Sequence, residues 1–95
     1  MKVILMKNNL PLMKGPQEDV RERIELMLEE RLGLYLELQE STDEGEFQIY
    51  LHTDTYDYLS EKEIEQLETM KITDDPERST EGLKRLLNVD FQVVD

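Results

Sequence analysis

Ninety-five residues without cysteine, 38% hydrophobic and 36% charged, suffice for one domain with a single core, and they exclude a disulfide framework, a thiolate nucleophile and Cys-ligated zinc. The 23 acidic against 11 basic residues give a formal net charge of −12. That sign excludes direct binding to a nucleic-acid backbone or an anionic membrane surface, since both are held by Lys and Arg.

The elements follow in chain order. Lys2 to Lys7 is apolar between its lysines and predicts a central strand. Its four-residue apolar run is too short for a signal-peptide core or a membrane span, so a soluble, cytoplasmic protein is expected. Asn8 to Lys14 reads as a connection whose Leu10, Leu12 and Met13 tuck under the sheet edge. Gly15-Pro16 predicts a helix start with proline at the first helical position, where its missing N–H costs nothing. Val20, Ile24, Met27, Leu28 and Leu32 then give one apolar stripe, and Gly33 stops the helix by taking the left-handed closing conformation. Arg21, Arg23 and Arg31, interleaved with acids, read as a solvated face of that helix.

Leu34 to Glu40 and Glu46 to His52 alternate as half-buried strands, with Leu34, Leu36, Leu38 and Phe47, Ile49, Leu51 facing inward. Ser41 to Gly45 joins them as a five-residue hairpin loop. Ser60 and Glu63 form a capping box, flanked by the hydrophobic staple Leu59/Ile64, and open a helix that buries Ile64, Leu67 and Met70. Thr73 to Arg78 is a polar connector, Thr80 to Leu87 a short third helix weakened by Gly82, and Val89 to Val94 the last strand. The order strand–helix–strand–strand–helix–strand predicts an α+β fold: a single domain over residues 1–95, built as a ferredoxin-like split βαβ sandwich. Its four-stranded antiparallel sheet would carry both helices on one face. The open face would show Tyr35, Glu37, Gln39, Gln48, Tyr50, His52 and Gln92, with either Ile4 and Met6 or Val3 and Leu5 at its centre.

Charge and aromatic rings are distributed unevenly. From Leu32 through Glu61 there are eight Asp or Glu and no Lys or Arg, and all four tyrosines fall in the same window. Unneutralised acid attracts cationic partners and speeds their encounter, while tyrosines are enriched among binding hot spots. Glu40, Asp43, Glu44, Glu46, Asp54 and Asp57 are therefore expected to supply attraction to a basic protein partner, and Tyr50, Tyr56 and Tyr58 to supply anchors.

Chemistry is not expected. His52, Asp54 and Asp57 lie close in sequence, but no third ligand is forced nearby, and Asp54 to Ser60 lacks the glycine and oxygen spacing of an EF-hand. Gly15 at a helix start is followed by a proline that removes an N–H donor from any anion site. With one histidine and no cysteine, the expectation is a protein that is not an enzyme and needs neither metal nor cofactor.

The hairpin tip Glu40-Ser-Thr-Asp-Glu44, followed by an apolar strand, resembles an acidic hairpin of the phage uracil-DNA glycosylase inhibitors. Those small acidic proteins imitate the phosphate backbone of DNA and block the enzyme. The match covers five residues of 95 and carries no residue role; the predicted second helical crossover also departs from that family. What it illustrates is a class: a small acidic domain, inhibitor or adaptor, that occupies a basic surface, in the narrower version a nucleic-acid-binding one. The competing expectation is a homodimer, self-associating through the open sheet face.

Overall fold

The computed structural model describes residues 1–94, and Asp95, the last residue of the expected domain, lies outside it. Two asparagines redirect the chain at its first turn. After β1 (Lys2–Lys7), Asn8 and Asn9 take φ of +52° and +65°, as a type I′ turn requires and as asparagine tolerates better than most residues. Leu10 to Pro16 therefore returns as a second strand, β2 (Leu10–Pro16), where a loop was expected. It pairs antiparallel with β1, with an irregularity between Leu5 and Met6.

The chain continues through α1 (Gln17–Leu32), β3 (Leu38–Asp43), β4 (Glu46–Leu51), a 3-10 helix over Thr53–Tyr58, α2 (Glu61–Thr69), α3 (Pro76–Leu87) and β5 (Val89–Val94). The α+β class and the antiparallel pairing are as expected. The four-stranded ferredoxin-like sheet is not: β2-β1-β5 form one sheet, and β3-β4 form a separate two-stranded sheet.

Two contacts explain the departure. A split βαβ sheet needs one edge of β1 for the last strand and the other for the second strand of the hairpin; β5 takes the first, but β2 occupies the second and shuts β4 out. The corresponding edge of β4 is also taken. The Thr80 hydroxyl on α3 accepts the Ile49 N–H (2.9 Å) and donates to the Pro76 carbonyl (2.6 Å), and the Leu51 N–H donates to the Thr73 carbonyl (2.9 Å). Covering an edge with a helix satisfies backbone groups that would otherwise seek another strand.

The third helix begins at Pro76, earlier than expected, because Asp75 caps it by accepting the Arg78 N–H (3.2 Å) and proline sits at its first turn. Gly82 is a packing requirement rather than a weakness. A Cβ there would stand 2.5 Å from the Met70 carbonyl oxygen and 2.9 Å from that of Lys71. Those carbonyls belong to the Schellman ending of α2, where Lys71 N–H donates to Glu68 O and Ile72 N–H to Leu67 O, both at 2.9 Å. The expected capping box of α2 is present, with Ser60 Oγ accepting from Glu63 N and Glu63 Oε1 accepting from Ser60 N. Gly33 closes α1 with φ +68°.

One core joins the layers. Val3 and Leu5 of β1, Val20, Ile24 and Leu28 of α1, Leu38 of β3, Ile49 and Leu51 of β4, Leu67 and Ile72 around α2, and Leu83 and Leu87 of α3 are all buried. Phe47 and Phe91 meet edge-to-face at 4.9 Å and connect the hairpin to β5. Val3 and Leu5 face inward, which leaves Ile4 and Met6 on the outer side of β1.

Candidate functional site

The acidic window folds into the β3–β4 hairpin and the 3-10 helix after it. The hairpin turn is two residues long, Glu44-Gly45, rather than the expected five, with φ of +51° and +79°. Ladder pairs place Asp43 opposite Glu46, Ser41 opposite Gln48 and Gln39 opposite Tyr50 on the outer face. Asp43, Glu44 and Glu46 are exposed, and among the described residues none of the three makes an ion pair.

Glu40 behaves differently. It lies on the inner side, opposite Ile49, where Arg21 of α1 reaches its carboxylate at 2.7 Å. The same guanidinium contacts both carboxylate oxygens of Glu25 at 3.3 Å, and Glu25, buried, accepts the Leu38 N–H at 2.9 Å. Arg21 is thus no member of a solvated face. It fastens α1 to β3, and it neutralises one carboxylate of the expected attraction site.

The tyrosines do not gather at the tip. Tyr50 is partly buried on the outer face of β4, four residues from Glu46 at the turn end of that strand. Tyr56 is partly buried against the core, and its hydroxyl accepts the Asp74 N–H at 3.2 Å. Burial, followed by repulsion from Asp74, holds its phenol above the ordinary value of 10.0. Tyr58 is half exposed and accepts the Glu37 N–H at 3.4 Å. Tyr35, also half exposed, stands beside it, its pKa raised by partial desolvation and then by Glu25 and Glu37. Asp54 and Asp57 are exposed on the 3-10 helix. The run of β4 separates this group from Glu46 by roughly 17 Å at an ordinary strand rise, so the nine expected residues form two groups and not one patch.

His52 has a local structural task. Its Nδ1 accepts the Asp54 N–H at 3.0 Å and caps the 3-10 helix. A nitrogen that accepts this bond carries no proton, so the 3.6 Å approach of Asp54 Oδ2 to the same atom is not an ion pair. Among the described residues no three His, Cys, Asp or Glu side chains are grouped to hold a metal ion. No described helix is long and apolar enough to cross a membrane.

No family model, curated protein or solved structure matches the chain.

What the sequence did not reveal is the far wall of the acidic tip. A groove of about 340 Å³ runs between the hairpin turn and α3, with Glu46 on one rim and Glu77 and Glu81 on the other. Phe47 and Phe91 line its floor. The cation within it, Lys84, is turned toward Asp90 (3.3 Å) and Glu81 (3.8 Å). Glu77 and Glu81 stand over thirty positions from the turn in sequence, and only the docking of Thr80 on Ile49 brings them to it. An acid rim over an aromatic floor has the composition that a lysine or arginine side chain prefers, with its stem on the rings and its charge between carboxylates.

Proposed function

We propose that the protein is a small acidic interaction module, an inhibitor or adaptor, that sets its hairpin tip and the facing rim of α3 against a basic surface of a larger protein. The observation that carries this reading is Glu44. The first position of a type I′ turn favours Asn, Asp or Gly, and the other two-residue turn of the same chain uses Asn8-Asn9. A glutamate held at φ +51° between Asp43 and Glu46 gives up local stability and places a third unpaired carboxylate at the tip. Positions that break a local rule are where function is to be sought.

The narrower version makes the basic surface a nucleic-acid-binding one, with the tip carboxylates standing in for phosphates. Reversing Asp43, Glu44 and Glu46 to lysine tests the broader reading by affinity capture from a lysate at low and high salt. The expected result is a folded variant that no longer retains basic proteins, and wild-type capture that falls with salt. Capture indifferent to both the reversal and the salt overturns the reading. Duplex DNA that competes for the captured protein supports the mimic version, and simultaneous binding removes it.

A further inference from the structure

We infer that the groove between the hairpin turn and α3 is a socket for one arginine side chain of the basic partner, and that Lys84 is its built-in competitor. Resting on the proposed contact with a basic surface, this assignment narrows that surface to a single seat. The groove's volume of about 340 Å³ lies at the low end of ligand pockets, roughly 300–1,000 Å³. It has room for one long side chain and not for an α-helix, whose diameter with side chains is about 10–12 Å.

The lining selects the ligand. Glu77, Glu81 and Lys84 follow one another at i, i+4 and i+7, so one stripe of α3 faces the groove, held there by the Thr80 hydroxyl on Ile49. Glu46 stands on the opposite rim, and Phe47 and Phe91 meet edge-to-face beneath. Among the described residues neither Glu46 nor Glu77 makes an ion pair. The seam between the two sheets opens into the same space. Asn8 N–H donates to Asn88 O at 3.0 Å and Phe91 N–H turns to Asp90 Oδ1 at 2.8 Å, so by strand alternation the backbone of Phe91 and Val93 points away from β1. Ile49 N–H leaves β3 for Thr80, and Phe47, two residues before it, points the same way. β4 and β5 lie in different sheets, so no ladder among the described residues uses these groups. Carboxylates, carbonyl oxygens and rings together suit a guanidinium. It is planar, carries five N–H donors and stacks on aromatic rings, whereas a lysine ammonium is a compact, strongly hydrated charge with three.

Lys84 already takes up part of the seat. Its side chain is half-buried, and its ammonium lies 3.3 Å from Asp90 and 3.8 Å from Glu81. Glu81, the more distant of the two, can turn to an incoming guanidinium while Asp90 retains Lys84. Until then the ammonium repels any second cation, and the seat goes to the ligand that gains most from the rings and the carbonyls.

Titrating the isotope-labelled protein at about 0.02 M NaCl with a capped peptide carrying one arginine among glycines and serines, and with its lysine counterpart, tests this. The expected result is saturable amide shifts at Phe47, Phe91 and Glu81, with arginine bound at least about three-fold more tightly than lysine. Lys84→Met is expected to tighten arginine binding about three-fold. Lys62→Met, which removes an exposed charge outside the groove, is expected to change it less. The double variant Glu77→Gln, Glu81→Gln alters two exposed side chains, is expected to fold, and weakens arginine binding. Equal affinity for the two peptides, shifts confined to Asp43 through Glu46, or no shifts at all overturns the socket. So does a Lys84→Met effect no larger than that of Lys62→Met; should Lys84→Met unfold, unchanged binding in the double glutamine variant overturns it instead. A socket that fails while the reversed tip still loses basic proteins leaves the interaction module in place. A socket that holds while capture ignores the reversal removes that reading alone.

Discussion

Arg21 shows how one side chain changes the meaning of its neighbours. In the sequence it is one of three arginines interleaved with acids on α1, and nothing there distinguishes it from Arg23 or Arg31. In the fold it stands between Glu40 and the buried Glu25, because β3 passes along the helix at that height. Arg21→Ala leaves Glu25 without its counter-charge, and we expect a loss of about 2–4 kcal/mol in urea unfolding; a loss below about 0.5 kcal/mol, as for a surface position, would show the network to be incidental. Tyr56 supplies a pH dependence. Its pKa is raised in the fold above the ordinary 10.0 by burial first and Asp74 second, so the folded state keeps the phenol proton more tightly than the unfolded chain. The stability this contributes is intact below about pH 10 and is lost as pH rises through the folded value. Urea midpoints measured from about pH 9 to about pH 11 are expected to fall more steeply in the wild type than in Tyr56→Phe; equal slopes contradict the assignment. Neither contact was legible beforehand, since both depend on which distant backbone arrives beside the side chain.

Among the elements, those with local signals were legible and those decided by competition were not. The helix end at Gly33, the capping box of Ser60 and Glu63 and the alternation of β4 all stood in the sequence, because each is a short-range hydrogen-bonding or burial pattern. β3, in contrast, runs Leu38–Asp43 and not Leu34 to Glu40, taking up most of the expected Ser41–Gly45 loop. Asn8-Asn9 closes a hairpin, although the segment Asn8 to Lys14 reads in the sequence as a connection. That one turn adds β2, fills the free edge of β1 and removes the four-stranded sheet. The parallel turn at Glu44-Gly45 allows a test of the trade between fold and function. Glu44→Asn relieves a left-handed glutamate, and we expect a gain of about 0.5–1 kcal/mol together with weaker capture of the basic partner. A variant that is both less stable and equally retentive would remove the argument drawn from this position.

For the whole molecule, the consequence that matters is the balance of charge. The net −12 opposes the compact state, and among the described residues only Arg21 and Lys84 neutralise carboxylates on neighbouring elements. We therefore expect the melting temperature to rise by roughly 5 °C between about 0.01 M and about 0.5 M NaCl; a fall would mean that ion pairs outweigh repulsion. The lopsided charge of the Leu32–Glu61 window was readable from the sequence, but the division of that window into an acidic tip and a separate tyrosine-bearing end was not, because strand length and register create it. The central claim, that the tip and α3 together form the surface for a cationic partner, is tested most directly by titrating the isotope-labelled protein with a short oligo-arginine peptide and following backbone amide shifts. The account predicts changes concentrated at Gly45, Glu46, Gln48, Glu77 and Glu81 that fade as salt is added. Changes spread evenly over all the acidic residues, or centred on Tyr35 and Tyr58, would contradict it.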